Sequence, residues 1–119
     1  KKMFFNGDLN PALINASVKF PNYFLEVENL DSPTVREWTR KMSMDFAEIK
    51  KIGGKYGART IVVSVPYRAY LCRQGLEDAS GVGFNVDEKL LTSRNADEAI
   101  SAAAREAGLE FHQVTDILI

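Results

Sequence analysis

Lys55-Tyr56-Gly57-Ala58-Arg59-Thr60-Ile61-Val62-Val63-Ser64-Val65 decides the fold class: a helical pattern stops on a glycine and an apolar strand begins at Thr60. The same junction recurs where Arg105-Glu106-Ala107-Gly108 runs into Leu109 to Ile117. Glycine tolerates the left-handed backbone that closes a helix, so each helix can stop abruptly and return the chain as a strand. The order strand, helix, strand implies a right-handed parallel crossover, with strands near residues 60–65 and 109–117 of an α/β layered sheet. Only Ser64 interrupts the apolar run Ile61 to Val65, which is the pattern of a strand covered on both faces. Val62, Val63 and Val65 are therefore expected to be buried. Open α/β sheets place ligands beyond the carboxyl ends of their strands, so the loop after Val65-Pro66-Tyr67 is the first place to look for a site.

Upstream, Val35, Trp38, Met42, Phe46, Ile49, Ile52 and Tyr56 recur at spacings of three and four, one helical stripe. Pro33 suits its first turn, Thr34 with Glu37 forms a capping box, and Gly53 and Gly54 weaken its end by about 1 kcal/mol each. Trp38 shares the stripe and is expected against the sheet. Downstream, residues 66–94 are non-periodic, with a short helix around 69–79. Asn95 and Glu98 then cap a last helix whose inner face is Ala99, Ile100, Ala103 and Ala107. Residues 1–30 hold aromatics and turn formers, with a turn at Asn6-Gly7 and partly alternating runs over Leu13 to Phe20 and Tyr23 to Leu30. They read as an irregular or hairpin arm, and 31–119 as an α/β half-domain.

With 119 residues, 15 basic and 16 acidic, the chain reads as one domain with no surface biased toward nucleic acid. Its single cysteine, Cys72, leaves no intrachain disulfide and no Cys-x-x-Cys zinc site. No apolar run approaches the ~20 residues of a membrane span, and no apolar core of signal-peptide length follows Lys1-Lys2. Starting on a lysine and stopping mid-pattern at Ile119, the sequence reads as an excised piece.

His112, the only histidine, falls inside the last strand without acidic or cysteine neighbours at metal-ligand spacing, so a packed or edge-facing role is expected. No Gly-x-Ser-x-Gly or Gly-Asp-Ser block is present. Gly81-Val82-Gly83 neither follows a strand nor opens a clear helix, so no cofactor is expected. Asn6-Gly7-Asp8 reads as a turn rather than a carboxylate site. Asn15-Ala16-Ser17 fits the glycosylation triplet but says little alone. Tyr67, Arg68 and Tyr70 are the candidate binding residues, two aromatics and a guanidinium placed to line a pocket mouth.

Phe46-Ala47-Glu48-Ile49 through Lys55 to Pro66, then Gly83-Phe84-Asn85-Val86-Asp87 and Leu91-Thr92-Ser93, then Asp97-Glu98-Ala99-Ile100 to Gly108-Leu109-Glu110-Phe111, resembles the C-terminal half of the SGNH hydrolases, the GDSL-type lipases and esterases. The resemblance covers roughly residues 34–119. It implies half of a flavodoxin-like three-layer sheet and a parent enzyme that cleaves acyl or acetyl esters of small molecules, carbohydrates or lipids. The family's Gly-Asp-Ser, Gly-x-Asn-Asp and Asp-x-x-His blocks have no match here, and His112 does not match the family's catalytic histidine. The chain alone is expected to be inactive, its arm a family-variable insert, and its unpaired sheet edge a route to self-association. The competing reading is a small α/β binding module that uses the loop after residues 60–65.

Overall fold

Both glycine junctions have the left-handed backbone their sequence implies, with φ +68° at Gly57 and +73° at Gly108. The computed structural model describes residues 10–119, so the Asn6-Gly7 turn and the Asn6-Gly7-Asp8 carboxylate lie outside the described residues. Each junction closes with the same pair of hydrogen bonds. Ala58 N–H donates to Gly53 O and Gly57 N–H to Gly54 O; Leu109 N–H donates to Ala104 O and Gly108 N–H to Arg105 O. A third helix ends in this way at Gly83, φ +119°, where Phe84 N–H donates to Ala79 O.

The elements, in order, are α1 (Pro11–Lys19), α2 (Tyr23–Val27), α3 (Pro33–Lys55), β1 (Ile61–Ser64), a 3-10 turn (Arg68–Tyr70), α4 (Arg73–Val82), a 3-10 turn (Glu88–Leu91), α5 (Asn95–Glu106), β2 (Glu110–Gln113) and α6 (Thr115–Leu118). The chain is thus a small mixed α/β domain. The alternating runs that suggested a hairpin are helical instead: Asn10 caps α1 through Ala12 N–H, and Pro11 sits where a first-turn proline has no donor to lose. α3 is capped by Ser32, whose Oγ accepts from Val35 N–H at 3.1 Å, rather than by Thr34. It runs through Gly53 and Gly54.

β1 and β2 pair in parallel, with Ile61 opposite Glu110, Val62 opposite Phe111, Val63 opposite His112 and Ser64 opposite Gln113. The final strand stops at Gln113, and residues expected to extend it form α6. α5 lies against both strands and α3 lies against α5. One face of the sheet, carrying Val62, Ser64 and Phe111, is therefore covered. The other carries Ile61, Val63, Val65, Glu110 and His112, all exposed. This overturns the doubly covered strand: Val63 is 49% and Val65 72% exposed, because among the described residues no element packs on their side. The described sheet has two strands, not the layered sheet of a flavodoxin-like domain.

The core lies beside the sheet. Phe24, Ala69, Tyr70, Leu76, Ala79, Phe84 and Leu90 form one cluster, with the Phe24 ring meeting Tyr67, Tyr70 and Phe84 edge-on at 5.2–5.7 Å. Residues 10–30 thus contribute Phe24 to the core, with Ala16 packed against it. Trp38, expected against the sheet, instead meets Phe20 and Tyr23 of that segment at 6.5 and 5.6 Å. Among the described residues no helix is long and apolar enough to cross a membrane.

Candidate functional site

Beyond the carboxyl ends of β1 and β2 lies a cavity of about 120 Å³. The sequence places it there: Pro66 and Tyr67 follow β1, Thr115 follows β2, and α5 brings its first turn between them. Asp97, in that turn, is only 8% exposed. Its carboxylate accepts hydrogen bonds from Ser64 Oγ and, at 2.6 Å, from Thr115 Oγ1, tying the ends of both strands to α5. A carboxylate in the first turn also complements the helix dipole. Ser64, the one polar residue in the apolar run of β1, was the sequence's signal for this knot; nothing in local spacing linked it to Asp97 and Thr115.

The rim is held by charged groups already paired. Arg94 Nε donates to Asp116 Oδ1 at 2.8 Å and its Nη1 to Ser93 O at 2.8 Å, and the Arg94 hydrogen bond holds the Asp116 carboxyl below the usual carboxylate range. Ser93 Oγ donates to Glu28 Oε1 at 2.5 Å, and Asn95 Nδ2 to Glu28 O at 3.0 Å, fastening α2 to the start of α5.

Of the three candidate residues, Tyr67 and Tyr70 line this cavity. Arg68 faces a separate groove of about 460 Å³ between α1 and α4, where its Nη1 donates to Asp78 at 2.8 Å. Tyr70 is 4% exposed, and its hydroxyl is buried with no hydrogen-bond partner among the described residues. Burial pushes its phenol well above the ordinary value, and the negative charges available to Tyr23, Glu28 and Asp97 add to the effect. At neutral pH it is a neutral donor.

His112 stands on the open sheet face, its Nε2 2.6 Å from Glu110 Oε1, while Arg59 pairs with the same carboxylate. These contacts, the His112 hydrogen bond first, hold the Glu110 carboxyl below its usual range. Ser64 and His112 project from opposite faces of the sheet, as Val63 is the partner of His112 in register. The Ser64 hydroxyl therefore has a carboxylate but no imidazole, and the two do not form a nucleophile and base. Cys72 precedes α4 as a free, partly buried thiol.

Comparison with protein-family models, with curated proteins and with solved structures gives no match.

Proposed function

We propose that this chain is the second half of a serine ester hydrolase of the SGNH type, supplying one wall of an acyl-transfer site whose nucleophile and imidazole belong to the rest of the enzyme. The observation that carries this reading is a parallel strand pair that, among the described residues, is uncovered on the face bearing Ile61, Val63 and Val65 and unpaired on both outer edges, with a cavity beyond its carboxyl ends. Such a pair fits a larger sheet whose further strands extend its edges and whose second helical layer covers Ile61, Val63 and Val65. The cavity then faces the completed active site, where hydrolysis needs an activated hydroxyl, its base and oxyanion donors together.

The 119-residue chain assayed alone with a short-chain aryl ester is expected to give no turnover above a protein blank, and His112→Ala to leave that background unchanged. The product of the longer reading frame, carrying a Gly-Asp-Ser block upstream and an Asp-x-x-His block downstream, is expected to turn the ester over saturably and to lose activity when its Gly-Asp-Ser serine is replaced. Saturable turnover by the short chain, abolished by one of its own serines, or a reading frame without those blocks, would overturn the proposal. The second reading, a self-sufficient binding module using the loop after β1, is favoured by one feature: Tyr67 lines both the cavity and the 460 Å³ groove.

A further inference from the structure

We infer that the cleft between α1, α2 and α3 is a binding site for one neutral sugar ring, seated on Trp38, Tyr23 and Phe20 and hydrogen-bonded by Glu26 and Lys19. The inference goes beyond the hydrolase reading and stands without it, for this cleft is distinct from the cavity at the strand ends. Among the described residues Tyr23 alone borders both.

Three observations carry it. The first is an aromatic corner at the surface. Trp38 and Tyr23 lie 5.6 Å apart with their planes 34° from parallel, and Phe20 stands 6.5 Å from Trp38 at 89°. Phe20 and Tyr23 are 53% and 42% exposed. The weakly positive C–H groups on the apolar face of a sugar suit the negative face of such rings. The second is a carboxylate left available beside them. Glu26 is half-buried, yet among the described residues it makes no hydrogen bond or ion pair. Its oxygens still reach the surface, since the Tyr70 hydroxyl is the one buried side-chain polar atom there without a partner. Lys19, in the same lining, is likewise uncommitted, and Asn22 keeps its amide hydrogens available while its Oδ1 accepts from Asn85 Nδ2 at 2.6 Å. The third is that these groups select among occupants. Glu26 and Lys19, the two charged side chains of the lining, are opposite in sign, so neither an anion nor a cation meets a net attraction. A proline-rich strand offers carbonyl acceptors and no backbone N–H, and would desolvate the Glu26 carboxylate without giving it a donor. Adjacent sugar hydroxyls each donate and accept, so one ring can serve Glu26 and Lys19 together. The cleft holds about 210 Å³, below the roughly 300 Å³ at which pockets for drug-sized ligands begin, which suits a single ring.

Trp38 is the only tryptophan of the chain, so its fluorescence reports on this cleft alone. The methyl β-glycosides of glucose, galactose and N-acetylglucosamine are titrated into the 119-residue chain, with tetramethylammonium, cyclohexanol and a proline hexapeptide as the competing chemistries. Expected is a saturable blue shift of Trp38 emission with at least one glycoside, at a dissociation constant of about 1–10 mM, the range open to one ring of about a dozen heavy atoms. The other three probes should not saturate. Phe20→Ala and Glu26→Ala should each bind that glycoside at least about fivefold more weakly. Glu26→Gln, which keeps an acceptor, should lose less than Glu26→Ala. The fold of each variant is checked by its amide spectrum, and Glu26→Ala carries the test if Phe20→Ala unfolds, because the Glu26 carboxylate has no partner among the described residues to lose. Failure of all three glycosides to saturate below about 100 mM, unchanged affinity in Glu26→Ala, or tighter binding of any of the three competing probes would overturn the inference. A longer chain that hydrolyses no ester leaves it standing, and an active esterase whose Trp38 ignores every glycoside overturns it alone.

Discussion

The two faces of one short strand meet different worlds. On one side of β1, Ser64 is sealed under α5 by Asp97, while on the other Ile61, Val63 and Val65 stand in solvent although they are as apolar as any core strand. The difference teaches that apolar residues in a strand record what the strand is made to touch, which need not lie within the same stretch of chain. Here the covered face is joined to a closed polar knot and an aromatic core, and the open face to an exposed row of Arg59, Glu110 and His112.

The comparison is sharpened first on its closed side. Phe24→Ala should cost about 3–5 kcal/mol in urea unfolding, since the ring is 1% exposed and is met by four other aromatics. A loss below about 1 kcal/mol would mean that residues 10–30 are not part of the core. Asp97→Ala should cost about 2–4 kcal/mol, because it strands the hydroxyls of Ser64 and Thr115 in a buried place. Gly75→Ala should cost about 1–3 kcal/mol: an added Cβ would lie 2.2 Å from the Arg68 carbonyl oxygen, so backbone must move. On the open side, Val63→Thr should change stability by less than about 0.5 kcal/mol. Equal losses at Val63 and Asp97 would erase the distinction between the faces.

The smallest effect near neutral pH concerns Tyr70. Removing its hydroxyl, which has no partner among the described residues, in Tyr70→Phe should leave stability unchanged or slightly higher. Alkaline pH separates the two proteins. Below pH 10.0 the phenol is protonated in both folded and unfolded chains, and above it the unfolded chain ionises while the folded one holds its proton, so stability falls as pH rises. Tyr70→Phe should flatten that alkaline decline in a series of urea titrations, and an unaltered slope would contradict the buried phenol.

Much of the fold was legible because it is written locally. The helix-to-strand junctions at Gly57 and Gly108, the parallel strands, the helix α3 and the inner face of α5 all follow from spacing and from glycine's backbone freedom, whereas Ile49, Ile52 and Tyr56 at the end of the α3 stripe are exposed. The early helices were not, since Leu13 to Phe20 and Tyr23 to Leu30 alternate weakly enough to fit either period, and their helical state is set by packing of Phe24 among residues far along the chain. Trp38 shows the same limit: its helix forms, but long-range contact decides which neighbour each part of it meets. At the site, position after a strand end singled out Tyr67 and Tyr70, while Arg68 turned to the other side of the same short turn. Asp97 escaped notice because a carboxylate in a first helical turn reads as ordinary capping until the two strand ends are brought to it.

The most direct test of the unequal faces leaves the protein unmutated. Valine and isoleucine methyl signals are recorded with a soluble nitroxide added at low protein concentration. Strong broadening of the Ile61, Val63 and Val65 methyls with sparing of Val62 is the expected result, and protection that appears on those three only as protein concentration rises would show copies meeting through the open face. Equal protection of Val62 and Val63 at every concentration would contradict the account, for it would mean that the sheet is already covered on both sides.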